Sequence, residues 1–205
     1  MQIGSLSRAE ISFRLAQGQN RARSQPYAEF PHLHEIVPDP PRPAAVLIPL
    51  LDINNTWHIL YTRRNANLPE HSGQVAFPGG RSDPEDTSLE MTALREAHEE
   101  IGLTPDDVQI LGRIHDFLTI TNYRVTPIVG IIPWPYDFHL AVQEVSRVFT
   151  IPLDWLAEPN NYTEQWRTLP APYDPVSVIY YKEYDGEILW GASARFTLEF
   201  IKLLT

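Results

Sequence analysis

Cysteine is absent from the 205-residue sequence, which excludes disulfide bonds, thiolate zinc sites and cysteine nucleophiles. Long apolar runs are also absent, since the longest run, 44–51, contains Pro49 and is far shorter than the roughly 20 residues that span a bilayer. Positive charge is scarce: 16 Lys and Arg residues face 26 Asp and Glu residues, giving a net charge of −10. We therefore expect no nucleic-acid partner and no membrane partner. The N-terminus shows no signal peptide, and we expect a cytoplasmic protein.

The order of the predicted elements favours a mixed α/β (α+β) sandwich over a doubly wound parallel sheet. A weakly amphipathic helix is expected over residues 7–23, and a proline-rich extended segment follows it. Residues 1–43 are accordingly separated from a domain of residues 44–205. Within that domain, strands and helices mix without a regular β-α-β rhythm. Asp185-Gly186 predicts a hairpin turn, and an amphipathic helix closes the chain.

Residues 87–102 predict a helix with a recognisable start and end. Thr87 is expected to cap the first turn, and Glu90, three residues later, completes a capping box. Gly102 is expected to end the helix in the left-handed conformation. Apolar residues at four-residue steps predict one buried stripe: Leu89, Ala93, Ala97 and Ile101.

Three carboxylates, Glu96, Glu99 and Glu100, share one face of this helix because their spacing is i, i+3 and i+4. They lie in the last turns, where the helix dipole is negative, so the dipole and their mutual repulsion both oppose the arrangement. One interpretation is a solvated acidic face. The other is a site where a cation neutralises the cluster, and three oxygen ligands suit Mg²⁺ or Mn²⁺.

The stretch GGRSDPEDTSLEMTALREAHEEIGL resembles the Nudix box, a glycine-rich loop followed by a helix that ends in Arg-Glu-x-x-Glu-Glu-x-Gly. The matching residues here are Arg95, Glu96, Glu99, Glu100 and Gly102. The resemblance implies a Nudix-type α/β/α sandwich with a mixed β-sheet. It also implies that the three glutamates hold a divalent metal, Mg²⁺ or Mn²⁺, and that Arg95 orients these carboxylates.

The box departs from the usual pattern at its first glutamate. Counting six residues from Gly80 reaches Asp86, whereas counting eight back from Arg95 reaches Thr87, so the loop is one residue longer and the slot holds no glutamate. Either Asp86 substitutes for the missing side chain, or the Thr87 cap takes over its structural role. Because that glutamate is mostly structural in the family, the departure does not imply loss of activity.

The longer loop and the segment before it resemble the coenzyme A diphosphatase branch of the Nudix family. The matches are Leu60, Thr62, Arg64, Gly73 and Phe77 to Gly80. Asn65 stands where Ser or Ala is usual, and Pro69 stands where a basic residue is usual. The resemblance implies that substrate is bound by the following residues: Arg63, Arg64, Gly79 and Gly80.

The implied reaction is metal-dependent hydrolysis of the diphosphate in coenzyme A or its derivatives, giving 3′,5′-ADP and 4′-phosphopantetheine. Glu144 is a candidate base or additional metal ligand, with Glu99 or Glu100 as rival bases. Hydrolysis of another nucleoside diphosphate derivative, such as ADP-ribose or NADH, remains the alternative. A catalytically silent nucleotide-binding domain is disfavoured, because none of the helix carboxylates is missing. The expected partner is a small nucleotide-diphosphate substrate, and a homodimer is left open.

Overall fold

The computed structural model describes residues 3–22, 40–69, 71–119, 121–168 and 175–205. Its strands are β1 (Arg42–Ile53), β2 (Thr56–Arg64), β3 (Val75–Ala76), β4 (Gly79–Arg81), β5 (Gln109–Arg113), β6 (Phe117–Leu118), β7 (Tyr123–Ile131), β8 (Val145–Pro152), β9 (Tyr162–Arg167) and β10 (Val176–Tyr181). Its α-helices are α1 (Arg8–Ala22), α2 (Leu89–Ile101), α3 (Leu153–Ala157) and α4 (Gly191–Leu204). Short 3₁₀ turns cover Ile3–Ser5, Pro105–Asp107 and Pro159–Asn161.

Within the described residues, eight strands form one mixed sheet, in which the path β3-β2-β1-β7-β5 is extended by β4, β6 and β8. The central pair, β1 and β7, is parallel, while the pairs on either side are antiparallel. Strand β4 lies antiparallel to the first part of β1, with Val46 opposite Gly79. Strands β9 and β10 form a separate two-stranded ribbon.

Helices cover both faces of the sheet because its central strands are apolar on both sides. On one face, Leu47 and Leu60 pack with Ala93, Ala97 and other residues around α2. On the opposite face, a larger cluster joins α4, α1 and α3 to the sheet. The mixed α/β/α sandwich that the sequence predicts is therefore confirmed. Among the described residues, no helix is long and apolar enough to cross a membrane.

The N-terminal helix contributes to the second of these clusters. Ile11 and Leu15 are fully buried there, together with Ile3 and Leu6 from the preceding turn. The proline-rich segment predicted after the helix falls mostly on residues 23–39, outside the described part of the chain. The described N-terminal residues thus pack on the same core as the sheet, whereas the predicted boundary at residue 43 stays a prediction.

The predicted turn at Asp185-Gly186 has the backbone that its residues favour. Asp185 and Gly186 both have positive φ, and Tyr184 and Glu187 exchange backbone hydrogen bonds across them, which confirms the hairpin turn. Strand β10 pairs along its length with β9, and its end also contacts the segment after this turn: Tyr180 forms a bridge with Trp190, and the Tyr181 N–H donates to the Leu189 carbonyl at 2.8 Å.

Candidate functional site

Helix α2 begins one residue later than predicted. Its N-cap is Ser88, whose hydroxyl accepts a hydrogen bond from the Met91 N–H at 3.1 Å, so the assignment of the cap to Thr87 is wrong. A β-region backbone at Ser88 allows this geometry, as for serine caps generally. The end is as predicted: Gly102 has φ of 69°, and its N–H bonds to the last turn of the helix.

Asp86 occupies the structural slot for which the sequence left two candidates. Its carboxylate accepts from Arg95 Nε at 3.1 Å and from Arg95 Nη2 at 3.0 Å, and also from the Thr92 hydroxyl and the Asp83 N–H. Hydrogen bonding from Arg95 is the main reason why the pKa of Asp86 falls to about 2. The same contacts restrain the Arg95 side chain, which lies over the end of the glycine-rich loop.

Arg95 also contacts two of the three box glutamates. Its Nη1 lies 3.0 Å from Glu96 Oε1 and 3.1 Å from Glu99 Oε2, while Nη2 donates to the Arg81 carbonyl at 3.0 Å. One planar guanidinium thus joins the glycine-rich loop to the acidic turns of α2. This geometry agrees with the implied role of Arg95 in orienting the carboxylates.

The three glutamates do not all face solvent, as an acidic surface would require. Glu99 is exposed, but Glu96 is half-buried and Glu100 is only 5% exposed. Burial is the largest cause of a raised pKa in both buried carboxyls, and it raises that of Glu100 to about 8. Of the two interpretations of these glutamates, the solvated acidic face is therefore wrong, because the Glu100 side chain is buried and bonds to Gly79 of the sheet.

Charges of both signs act on the Glu100 carboxyl group. The negative charges of Glu96 and Glu144 raise its pKa further, whereas the positive charge of Arg64 and a hydrogen bond from the Gly79 N–H lower it. The net shift remains upward. Burial, the largest cause, therefore keeps the Glu100 pKa raised even though a cation and a backbone donor act on the carboxyl group.

The two glycines of the box have separate reasons to lack a side chain. At Gly79, φ is 152° and a Cβ would lie 2.5 Å from the Ala45 carbonyl oxygen, so only glycine fits between β4 and β1. At Gly80, a Cβ would lie 2.6 Å from the Glu96 carboxyl group. The backbone of β4 therefore lies directly against the carboxylates of α2.

Arg63 and Arg64 lie in different surroundings, because successive residues of β2 face opposite sides of the sheet. Arg63 lies 3.2 Å from Glu187, a buried carboxylate that also receives Arg147. The Arg64 charge acts on Glu100, and its Nε is buried without a hydrogen-bond partner among the described residues. Of this pair, Arg64 is the one beside the box glutamates. The sequence did not indicate Glu187, which follows the hairpin turn far along the chain.

Glu144 reaches the site on a loop that is fixed by backbone hydrogen bonds to α2. The His139 N–H donates to the Ile101 carbonyl at 3.0 Å, and the Ala141 N–H donates to the Glu100 carbonyl at 2.9 Å. These bonds use carbonyls that the end of a helix leaves free. Glu144 is exposed, and its charge acts on both Glu96 and Glu100, as the sequence-based placement requires.

The carboxylates fit a hard divalent cation by their chemistry and charge. No three Asp, Glu or His side chains of the described residues are already arranged to hold an ion. Mg²⁺, however, usually takes only one or two carboxylates and keeps waters and substrate phosphates as its other ligands. A buried carboxyl with a raised pKa, Glu100, beside the half-buried Glu96 is a donor set that such a cation would neutralise.

Comparison with known proteins gives one consistent family. The NUDIX domain matches residues 40–172. An uncharacterized Nudix hydrolase NudL of Pectobacterium atrosepticum is 39% identical over 153 residues, covering 75% of this chain and 78% of that protein. The namesake from Yersinia pestis is 38% identical over 154 residues, covering 75% of each. A crystal structure of a MutT/nudix family protein from Enterococcus faecalis covers 96% of this chain and 74% of that chain, with 14% identity and a TM-score of 0.52. That structure shows a shared fold.

Proposed function

The chain belongs to the Nudix hydrolases, which act on phosphorus-containing anhydrides, and from that premise we propose that it hydrolyses the diphosphate of coenzyme A or its derivatives. The products are 3′,5′-ADP and 4′-phosphopantetheine, or the acylated form of the latter from a thioester. The observation that carries the proposal is the position of Arg64. It is a cation of the upstream motif, and it lies within electrostatic range of the buried box carboxylate Glu100.

A divalent cation, Mg²⁺ or Mn²⁺, is the proposed cofactor, as Nudix hydrolases generally use divalent metals. When bound, such a cation shields phosphate charge and lowers the pKa of a bound water. Glu96, Glu99 and Glu100 are the proposed ligands. Arg95, held by Asp86, keeps Glu96 and Glu99 in place from one side, and the Gly79 N–H holds Glu100 from another. The absence of a side chain at Gly80 lets the β4 backbone lie against the Glu96 carboxyl group.

Coenzyme A needs local positive charge, because it carries a 3′-phosphate in addition to the diphosphate. The basic residue usual in this motif is replaced by the exposed Pro69. The His71 side chain hydrogen-bonds to Gln74, and Arg63 forms a salt bridge with Glu187. Arg64 is therefore the motif cation best placed to bind a phosphate. We therefore assign Arg64 to phosphate binding and give Arg63 a secondary part at most.

The same replacement at Pro69 favours a second candidate, in which the substrate is another nucleoside diphosphate derivative such as ADP-ribose or NADH. These compounds share the diphosphate and lack the 3′-phosphate. The metal ligands and the reaction class are unchanged, and only the need for a second anion pocket disappears.

Glu144 is the proposed general base or additional metal ligand, with Glu99 and Glu100 as rivals. Its carboxylate is exposed to water and is within electrostatic range of both buried glutamates. If Glu144 accepts the proton of the attacking water, Glu144→Gln lowers kcat strongly and changes KM little. Turnover close to wild type across the pH range would transfer the role to Glu99 or Glu100.

A panel of diphosphates tests the substrate assignment. The full-length protein is incubated with Mg²⁺ or Mn²⁺ and coenzyme A, dephospho-coenzyme A, ADP-ribose or NADH, and the products are identified by mass. The proposal expects the highest kcat/KM with coenzyme A or a thioester. A higher kcat/KM with ADP-ribose or NADH would select the second candidate.

A further inference from the structure

Asn65 has a contact that its position in the sequence does not suggest. It follows the last residue of β2, where the resembling motif has Ser or Ala, and it bonds to a loop more than seventy residues away. Its Nδ2 donates to the Val142 carbonyl at 2.7 Å, and its backbone N–H donates to the Glu144 carbonyl at 2.7 Å. Two bonds from one residue therefore bracket the backbone on either side of residue 143.

The amide side chain suits this place because it donates and accepts at once. While Nδ2 bonds to Val142, Oδ1 accepts from the Asn67 N–H at 2.9 Å and stabilises the turn after β2. Alanine offers neither bond. Serine can accept from the turn, but its hydroxyl is closer to the backbone than Nδ2 is, so it does not reach Val142 in this geometry.

The loop is held from its other side by α2. The Ala141 N–H bonds to the Glu100 carbonyl, and the Ala141 carbonyl in turn accepts from the N–H groups of Glu144 and Val145. The Glu144 side chain is itself exposed, so packing does not fix it. Its location relative to Glu96 and Glu100 is therefore set by the backbone, with α2 on one side and Asn65 on the other.

We propose that Asn65 is a positioning residue that acts through Glu144, by fixing the 142–144 loop against the end of β2. This inference rests on the proposed function, because it takes Glu144 as the group that serves the reaction. Its consequence is specific: removal of the Asn65 side chain lowers turnover only while the Glu144 carboxylate is present.

A double-mutant cycle tests this dependence. Kinetics with coenzyme A and Mg²⁺ are measured for wild type, Asn65→Ala, Asn65→Ser, Glu144→Gln and the double variant Asn65→Ala/Glu144→Gln. Loss of one neutral hydrogen bond predicts a roughly three- to tenfold lower kcat for Asn65→Ala and Asn65→Ser, with KM nearly unchanged. In the Glu144→Gln background, Asn65→Ala is expected to have no further effect. Asn67→Ala, in the same turn, is the matched control.

Amide hydrogen exchange of the metal-free, full-length protein gives a second readout that needs no substrate. Asn65→Ala is expected to speed exchange at the Glu144 and Val145 amides and to leave the central strands β1 and β7 unchanged. Unchanged exchange at these two amides would overturn the inference, even if the wild type hydrolysed none of the diphosphates and the proposed function had failed.

The kinetic outcomes separate the inference from that function. If wild type hydrolyses coenzyme A but Asn65→Ala lowers kcat equally in both backgrounds, Asn65 does not act through Glu144. If Asn65→Ser matches wild type while Asn65→Ala does not, the turn and not the bond to Val142 is responsible. Wild-type turnover in Glu144→Gln would also overturn the inference, while metal-dependent hydrolysis would stand.

Discussion

Asp86 and Arg95 are joined by two hydrogen bonds, from Nε to Oδ1 at 3.1 Å and from Nη2 to Oδ2 at 3.0 Å. The Asp86 side chain is buried, and the contact connects the loop before α2 to the turns that carry the glutamates. Asp86 has a shorter side chain than the usual glutamate, and its loop is one residue longer than usual. Its carboxylate nevertheless holds the arginine that contacts Glu96 and Glu99.

Asp86→Asn is expected to lower the free energy of unfolding at pH 7 by roughly 1.5–3 kcal/mol, the range for a hydrogen bond to a charged group. The pKa of Asp86 in the folded protein, about 2, lies below its ordinary value of 3.8. Its stabilisation is therefore fully present above pH 3.8 and is lost as the pH falls through 2.

Denaturant unfolding at pH 7 and pH 3 checks this effect. The difference in the free energy of unfolding between wild type and Asp86→Asn is expected to be smaller at pH 3 than at pH 7. Asp83→Asn is the matched control, because its more exposed carboxylate lies 3.8 Å from Arg95. Such a pair contributes at most about 1 kcal/mol. Equal losses in the two variants would contradict the special role of Asp86.

The buried Glu100 predicts the opposite pH dependence in the metal-free protein. Its pKa is raised from 4.5 to about 8, so its contribution to stability is fully present below pH 4.5 and is lost as the pH rises through 8. At pH 9, Glu100→Gln is expected to be more stable than metal-free wild type by roughly 1–3 kcal/mol. At pH 5 the two free energies of unfolding are expected to be similar. If the stability of Glu100→Gln relative to wild type were lower at pH 9 than at pH 5, burial would be refuted as the cause of the raised Glu100 pKa.

Sequence patterns predicted the local features of the site and could not resolve the distant ones. Gly102 and the Asp185-Gly186 turn follow from backbone preferences of single residues, and both were placed correctly. The cap moved from Thr87 to Ser88 because neighbouring hydroxyl residues are equally able to cap, and only the path of the loop decides between them.

Contacts between distant segments explain what the sequence missed. Strand β9, with the sequence YTEQWR, is mostly exposed and lacks the apolar alternation of a strand, so only its pairing with β10 reveals it. The Glu100 carboxyl group accepts a hydrogen bond from Gly79 of β4, a contact between segments that helix periodicity does not describe. The link from Asn65 to Val142 is of the same kind.

Arg64→Ala is expected to lower kcat/KM for coenzyme A by roughly ten- to a hundredfold, because a charge-assisted contact contributes about 1.5–3 kcal/mol. Dephospho-coenzyme A is the internal control, since it lacks the 3′-phosphate and should be affected much less if that is the group held. If the wild type hydrolysed the two substrates at equal rates and Arg64→Ala left both rates unchanged, the proposed 3′-phosphate pocket would be refuted.

Arg63→Ala is expected to lower stability first, because it removes one of the two arginines that contact the buried Glu187 in the described part of the chain. Loss of a partner to a buried charged group costs roughly 1–3 kcal/mol, measurable as a lower free energy of unfolding. Arg147→Ala removes the other arginine and should give a loss of similar size. If Arg63→Ala lowered kcat/KM but left the free energy of unfolding unchanged, Arg63 would be assigned to substrate binding, as the sequence predicts.

The most direct test of metal-dependent diphosphate hydrolysis is a metal titration of the wild type and of Glu96→Gln, Glu99→Gln and Glu100→Gln, with coenzyme A as substrate and products identified by mass. Removal of a ligand to a catalytic metal costs several kcal/mol, so turnover of each variant is expected to fall by roughly a hundredfold or more. The wild type should release 3′,5′-ADP and 4′-phosphopantetheine with Mg²⁺ or Mn²⁺ and lose this activity in excess chelator. Undiminished wild-type turnover in excess chelator would contradict the account.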